Sequence, residues 1–208
     1  MSELENEPVA AAQLFGDRID VARQFTADLA REGEIRGLIG PLELPRLWTR
    51  HVLNSALVAP LMRPGRVGDI GTGAGLPGLV LAIARPDVHF VLIEPMERRV
   101  EWLQEEVDAL DLRNVDVVRA RAEEAEISEP LTQVTARAVS ALSKLIPITV
   151  PLLAAGGELV FMKGERVHDE IEAAQKVIRK ARLVDVRVDV LGEGVIPEVT
   201  RVFRATRA

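Results

Sequence analysis

Short apolar runs and amphipathic stretches alternate along most of the chain. The apolar runs predict five strands at residues 67–70, 89–93, 115–118, 133–136 and 158–162. The amphipathic stretches predict four helices at residues 77–84, 96–110, 140–153 and 167–180. Because strands and helices alternate, we expect an α/β fold whose sheet is mostly parallel and carries helices on both faces.

The two ends of the chain depart from this alternation. Two helices are predicted before the first strand, at residues 9–31 and 45–61. The last two strands, at residues 183–191 and 199–205, have only a loop between them and should pair as an antiparallel hairpin. We therefore expect an N-terminal helical cap over residues 1–63 and a main domain with seven strands over residues 64–208.

A glycine-rich loop follows the first predicted strand and leads into a helix. Residues 69–78 read DIGTGAGLPG. A phosphate-binding P-loop would need Gly-Lys-Ser/Thr at its end, so that interpretation fails. The dinucleotide fingerprint fits at Gly73, Gly75 and Gly78, but a lone match of this kind is weak. S-adenosylmethionine (SAM) is a third ligand: it is cationic at sulfur and has no phosphate, so it tolerates the carboxylate of Asp69, which would repel a pyrophosphate.

An acidic residue, Glu94, ends the second predicted strand, twenty-three residues after Gly71. A carboxylate at this place accepts both ribose hydroxyls of an adenosyl group. The alternative is an ordinary solvated acid at a strand end. The glycine loop favours ribose binding, because ligands of open α/β sheets sit at the carboxyl ends of the strands.

Composition narrows the chemistry. The chain has no cysteine and no tyrosine, so disulfides, thiolate metal sites and a cysteine nucleophile are excluded. The net charge is −6, yet residues 1–45 carry nine acids and four bases, and residues 46–208 are close to neutral. A local basic face therefore remains compatible with the sequence. No apolar run is long enough to span a bilayer, and we expect a cytoplasmic monomer without a bound metal.

The motifs, taken in order, resemble one family. The glycine loop, Arg98-Arg99, Arg121-Ala122-Glu123, Ala136-Arg137-Ala138 and Met162-Lys163-Gly164 are similar to the bacterial 16S ribosomal RNA guanine-N7 methyltransferases. The resemblance covers about residues 46–208. It implies a class I SAM-dependent methyltransferase fold (Rossmann-like) and methyl transfer from SAM to N7 of a guanine in the 530 loop of 16S rRNA, with S-adenosylhomocysteine as the product.

The resemblance also implies site residues. The cofactor would contact residues of the loop, the second strand and two later motifs: Asp69, Gly71, Gly73, Gly75, Leu76, Glu94, Ala122, Glu123 and Arg137. Catalysis would involve Arg137 and Lys163. The RNA, as 16S rRNA or as the small ribosomal subunit, would meet the basic residues Arg50, His51, Arg98, Arg99, Lys163 and Arg166.

Three positions depart from the family pattern. Glu94 stands where the family usually has Asp, which changes the reach of the ribose contact but keeps its chemistry. Residues 37–41 replace the usual Asn-Leu-Thr stretch, and Asn54 stands where Asp is common. These two departures concern the N-terminal contribution to RNA binding and leave the cofactor loop intact.

The proposed reaction agrees with the residues available. N7 of guanine has a free lone pair and no proton, so its methylation needs no general base. Arg137 would read guanine through O6 alone, or hold a phosphate or the cofactor carboxylate, because a bidentate contact to O6 and N7 would block the nucleophile. Three alternatives remain: a small-molecule SAM methyltransferase, a nicotinamide dinucleotide-binding domain, and a non-catalytic rRNA-binding protein with a relic SAM site.

Overall fold

The protein is described from a computed structural model that covers residues 3–208. A seven-stranded sheet has the order β3-β2-β1-β4-β5-β7-β6. The strands are β1 (Arg66–Ile70), β2 (His89–Ile93), β3 (Val115–Val118), β4 (Leu131–Arg137), β5 (Leu153–Lys163), β6 (Leu183–Leu191) and β7 (Thr200–Arg207). The first five strands are parallel, and β7 lies antiparallel between β5 and β6. The predicted mostly parallel sheet with a terminal antiparallel hairpin is confirmed.

Helices cover both faces of the sheet. The α-helices are α1 (Ala10–Phe15), α2 (Ile19–Glu32), α3 (Asn54–Ala56), α4 (Gly78–Ala84), α5 (Glu97–Ala109), α6 (Leu142–Thr149) and α7 (Val167–Lys180). Five 3-10 turns lie at Gly16–Arg18, Leu44–Arg46, Ala59–Leu61, Ala122–Glu124 and Val150–Leu152, and Leu47–Leu53 is π-helical. Among residues 3–208, no helix is long and apolar enough to cross a membrane.

The N-terminal helices differ from the prediction. The expected helix 9–31 is interrupted at Gly16, whose φ of +51° breaks the helical path between α1 and α2. The expected single helix 45–61 is wrong, because this segment is a 3-10 turn, a π-helix, one turn of α3 and another 3-10 turn. Pro45 and Pro60 lie in the two 3-10 turns and have no N–H to donate, so they do not support a continuous α-helical ladder.

The segment before β5 also differs. Helix α6 ends at Thr149 rather than at residue 153, and Pro151 lies in the 3-10 turn that follows. Strand β5 then begins at Leu153, five residues earlier than expected. Its first part pairs irregularly with β4, and Gly156 adopts a φ of +72° there. The predicted helix end at residue 153 and strand start at residue 158 are therefore wrong, because Pro151 has no N–H to continue the helix and the chain enters β5 at Leu153.

The core lies on the two faces of the sheet. On one face, Phe25 of α2 and Trp48 of the π-helix pack in the same cluster as α4, α5 and Phe90 of β2. On the other face, α6 and α7 pack over the sheet around Leu145 and Phe161. Residues of the N-terminal cap therefore share a core with the main domain, and the boundary between residues 63 and 64 stays a prediction.

Candidate functional site

The carboxyl ends of β1, β2, β4 and β5 meet at one edge of the sheet. Strand β1 has β2 on one side and β4 on the other, so the chain order reverses at this point. Ligands of open α/β sheets bind in the crevice outside such a reversal. The glycine loop, Glu94, Arg137 and Lys163 all follow or end strands at this edge.

The glycine loop has open space above Gly73 and is tightly packed at Gly78. Gly71, Gly73 and Gly75 have positive φ angles of 63°, 60° and 90°. A Cβ atom at Gly73 would meet nothing nearer than 3.9 Å, so the space above it is open to a ligand. A Cβ atom at Gly78 would lie 2.6 Å from Oδ2 of Asp69, which leaves no room for a side chain. Glycine is needed at position 73 for its positive φ angle, and at position 78 because no side chain would fit beside Asp69.

Asp69 lies fully buried beneath this loop. Its Oδ2 atom accepts a hydrogen bond of 2.8 Å from the backbone N–H of Gly78, which ties the end of β1 to the first turn of α4. Its Oδ1 atom has no hydrogen-bond partner among the described residues. Burial raises the pKa of Asp69 to about 7. Because the side chain is fully buried, this carboxylate would favour a cationic ligand through its charge and not by direct contact.

Glu94 faces the same loop from the end of β2. Its carboxylate accepts 3.0 Å hydrogen bonds from the backbone N–H groups of Gly73 and Met96. The guanidinium of Arg99 lies 3.8 Å away. Each carboxylate oxygen has two acceptor positions, so each retains one for a hydroxyl donor. The geometry thus suits a vicinal diol such as a ribose.

Other predicted cofactor residues surround the loop. Leu76 is buried in it, Ala122 is buried in the 3-10 turn after β3, and Glu123 beside it is exposed. Trp102 of α5 is buried, and its indole N–H donates to the carbonyl of Ala74 at 3.2 Å. The loop is therefore held from α5 as well as from Asp69.

Arg137 ends β4 and points toward the N-terminal segment. Its Nη2 atom donates to Nδ1 of His51 at 2.6 Å, and Nη1 donates to the carbonyl of Arg50 at 3.2 Å. Burial lowers the pKa of Arg137 to about 10, so the side chain stays charged at neutral pH. The next residue, Ala138, has a φ of +54°, a conformation that costs an L-residue about 1–2 kcal/mol. Such strain concentrates at functional sites.

Lys163 ends β5 and is mostly buried. Its ammonium donates to the carbonyl of Ser140 at 2.9 Å and lies 2.7 Å from the carboxylate of Glu170, with 9% of the side chain exposed. An ammonium has three donors, so one remains after these two contacts. The predicted contact of Lys163 with an RNA phosphate stays a prediction, and that phosphate would share the ammonium with Glu170.

Arg137 lies in the walls of two clefts. One, of about 650 Å³, is lined by Lys163 and Arg166, and the other, of about 730 Å³, by Arg50 and His51; Arg137 and Lys163 line both. The structure therefore brings four of the predicted RNA-contacting residues together. The remaining two, Arg98 and Arg99, lie apart in the first turn of α5, near Glu94.

Sequence reasoning missed two acidic residues at this site. Glu43 accepts hydrogen bonds from His51 and Arg46, and Glu170 pairs with Lys163. Neither lies in a recognisable motif, because each contact joins segments that only the fold brings together. Among residues 3–208, no group of three His, Cys, Asp or Glu side chains could hold a metal ion.

Sequence comparisons match this chain to one family. A family model described as rRNA small subunit methyltransferase G matches residues 18–199. A protein named ribosomal RNA small subunit methyltransferase G from Leifsonia xyli subsp. xyli is 69% identical over 98% of this chain and 97% of its own length. The protein of the same name from Pseudarthrobacter chlorophenolicus is 53% identical over 94% of this chain and 91% of its own.

Solved structures share the fold. A tRNA (m1A58) methyltransferase from Aquifex aeolicus aligns with a TM-score of 0.59 and 14% identity, over 74% of this chain and 68% of that one. An N-methyltransferase from Bradyrhizobium japonicum in complex with S-adenosyl-l-homocysteine also aligns with a TM-score of 0.59, at 16% identity over 86% of this chain and 98% of that one. The predicted class I methyltransferase fold with SAM as cofactor is thereby confirmed. By sequence match and fold, the chain belongs to the rRNA small subunit methyltransferase G family.

Proposed function

We propose that this protein transfers the methyl group of SAM to N7 of a guanine in the 530 loop of 16S rRNA. Transfer to small-subunit rRNA is supported by the names of the relatives, and the choice of guanine N7 by the family resemblance of the motifs. The observation that carries the proposal is the place of Arg137. Arg137 ends β4, the strand that pairs with β1 where the glycine loop begins. It also lines two clefts whose walls hold further cations.

The charge of these clefts suits an RNA strand. Arg166 lines one cleft and Arg201 the other, and neither forms an ion pair with any residue in the described range 3–208. Carboxylates also line the two clefts, among them Asp169 in one and Glu198 in the other. Phosphates need cations, whereas the N1–H and amino group of guanine need acceptors. A mixed lining supports a guanine nucleotide better than a simple anion.

The chemistry requires positioning rather than proton transfer. Bound SAM supplies an electrophilic methyl group on a sulfonium. The N7 lone pair forms the new N–C bond while the C–S bond breaks, and no proton has to leave. The chain has no cysteine or tyrosine, and both ring nitrogens of His51 are engaged. Among the described residues, the clefts hold no cysteine, no tyrosine and no histidine with a free ring nitrogen, which supports a nucleophile that already carries a lone pair.

The cofactor residues follow from the same edge of the sheet. Glu94 would accept the ribose hydroxyls, and the backbone of the loop at Gly71, Gly73 and Gly75 would lie beside the methionine part. Leu76, Ala122 and Glu123 would border the adenosyl group, and Asp69 would hold the loop and favour a cation. Arg137 would orient the guanine through O6, or hold a phosphate. Lys163 would hold the loop at Ser140 and a phosphate with its remaining donor.

The test uses the full chain with methyl-labelled SAM. Small ribosomal subunits that lack N7-methylguanine, and naked 16S rRNA in parallel, are incubated with the protein, and the product is mapped by N7-specific strand cleavage. We expect label at one guanine in the 530 loop. Arg137→Ala should lower turnover by about 100-fold while SAM still binds. Arg113→Ala is the matched control, since Arg113 is an exposed arginine after α5.

Label on a small molecule but on neither RNA would overturn the proposal that rRNA is the substrate. SAM binding without transfer to any acceptor would favour a relic site.

A further inference from the structure

A hydrogen-bonded chain runs behind Arg137 into the N-terminal cap. Nη2 of Arg137 donates to Nδ1 of His51 at 2.6 Å, and Nε2 of His51 lies 2.7 Å from a carboxylate oxygen of Glu43. A guanidinium has only donors, so Nδ1 of His51 must accept and carry no proton. The imidazole proton is then on Nε2 and is donated to Glu43. The contacts on its two sides therefore assign one neutral tautomer to His51.

The charges around His51 favour this neutral form. Burial lowers the pKa of His51, the nearby charges of Arg137 and Arg50 lower it further, and Glu43 opposes them. Only 13% of the imidazole side chain is exposed. Glu43 is itself ionised: burial raises its pKa, but hydrogen bonds from His51 and Arg46 lower it overall.

A neutral relay has a specific consequence for Arg137. A carboxylate bound directly to the guanidinium would hold it equally well but would neutralise its charge at short range. With a neutral imidazole between them, Glu43 fixes the direction of Arg137 from a distance. The guanidinium therefore keeps its positive charge for the clefts that it lines. The same logic lets an acid orient a histidine in catalytic triads.

The element that carries His51 is well anchored. His51 lies on the π-helix Leu47–Leu53, whose Trp48, Val52 and Leu53 are buried in the core. The carbonyl of Arg50, on the same segment, accepts the second bond from Arg137. π-Helical turns are rare and often occur at functional sites.

We propose that His51 and Glu43 are positioning residues that aim the guanidinium of Arg137 into the site, with His51 as a neutral relay protonated on Nε2. This inference rests on the proposed function, because it gives Arg137 a part in methyl transfer. In this proposal His51 does not contact the RNA directly, as the sequence predicted, but acts on it through Arg137.

The first experiment measures kcat and KM for methylation of small subunits between pH 5 and 8. We expect His51→Ala to lower kcat by about 10- to 100-fold and to change SAM affinity by less than about twofold. His51→Asn keeps an oxygen near the position of Nδ1 and should recover part of the rate. Glu7→Gln is the matched control for Glu43→Gln, because Glu7 forms an ion pair with Arg23 in another part of the cap.

The pH profile separates positioning from a merely structural role. Protonation of Nδ1 removes the acceptor for Arg137, so kcat should fall on the acid side as His51 becomes charged. Glu43→Gln removes the charge that favours protonation, so this acid limb should move to lower pH. Asp69 also titrates near the site, but it is the same in both proteins. A variant that only loosens the fold would lower the melting temperature and leave the acid limb in place.

A second measurement does not depend on activity. The chain has three histidines, so nitrogen NMR resolves the tautomer and pKa of His51 in the free protein. We expect a proton on Nε2, a lower pKa of His51 in Glu43→Gln and a higher one in Arg137→Ala. If the wild type methylates neither RNA, the proposed function fails and the NMR result still judges the relay. An active wild type with unchanged kcat in His51→Ala and Glu43→Gln overturns the positioning role alone, and a proton on Nδ1 overturns the relay.

Discussion

The ammonium of Lys163 and the carboxylate of Glu170 lie 2.7 Å apart and join the end of β5 to the first turn of α7. The same carboxylate accepts the N–H of Leu142 at 3.0 Å, at the start of α6. Lys163 also donates to the carbonyl of Ser140, in the loop after β4. One ion pair therefore connects two strand ends and two helix starts around the cleft beside Arg137.

Breaking this ion pair should lower the stability of the protein. We expect Lys163→Ala to lower the free energy of unfolding by about 1–3 kcal/mol, because it leaves the carbonyl of Ser140 and the partly buried Glu170 without a donor. Glu170→Gln keeps the shape and the acceptor for Leu142, so it should cost less. Denaturant unfolding of both single variants and the double variant gives the coupling energy, which we expect to be about 0.5–3 kcal/mol. Strictly additive effects would show that the pair is not coupled.

RNA contact by Arg166 is tested by salt. Arg166 is exposed before α7, lines a cleft beside Arg137 and has no ion-pair partner among the described residues. If it holds a phosphate, Arg166→Ala should reduce the slope of log affinity against log salt for 16S rRNA by about 1. Lys163→Ala should change the slope less, because Glu170 already compensates its charge.

The control and the contrary result use the same titration. Arg113 is exposed and forms an ion pair with Asp111. Arg113→Ala should therefore leave the slope unchanged. An unchanged slope in Arg166→Ala would remove Arg166 from the RNA surface.

Local sequence predicted the strands and the cofactor loop, because both depend on neighbouring residues. The runs that became β1 and β2, and the glycines between Asp69 and Gly78, have patterns readable within ten positions. The irregular segment at residues 44–61 was not predictable in this way, since its π-helix packs Trp48 into a core formed with residues distant in the sequence. Glu43 lies eight residues before His51, and His51 lies 86 residues before Arg137, so only the fold reveals these contacts.

The buried carboxyl of Asp69 should make stability depend on pH. Burial raises its pKa to about 7 from the ordinary 3.8, so the folded protein binds this proton more tightly than the unfolded chain. Stability should therefore fall as pH rises from about 4 to about 7. Asp69→Asn keeps the acceptor for Gly78 without the charge. Without SAM, it should match the wild type near pH 4 and exceed it at pH 8 by about 4 kcal/mol at most.

Two further measurements make this prediction specific. Asp69→Asn should weaken SAM binding by about tenfold, since the carboxylate that destabilises the free protein favours a cationic ligand. Asp116→Asn is a control of opposite sign: burial raises the pKa of Asp116, but His89 and Arg66 lower it overall, so its loss should destabilise the protein above pH 4. Parallel stability curves for Asp69→Asn and the wild type would contradict the assignment.

Glu106 of α5 should act on stability without acting on methyl transfer. It is 4% exposed and faces α2, where burial first and then the charges of Asp28 and Glu32 raise its pKa to about 8. Because the folded pKa lies above the ordinary 4.5, stability should fall as pH rises from about 4.5 to about 8. Glu106→Gln should therefore stabilise the protein by about 1–3 kcal/mol at pH 9 and change little near pH 5.

Denaturant unfolding at the two pH values measures this effect of Glu106→Gln on stability. Glu101→Gln, on the exposed face of the same helix, should stay within about 0.5 kcal/mol at both. Equal effects of Glu106→Gln at pH 5 and pH 9 would mean that Glu106 is ionised at both. A changed kcat would mean that the contact between α5 and α2 also affects methyl transfer.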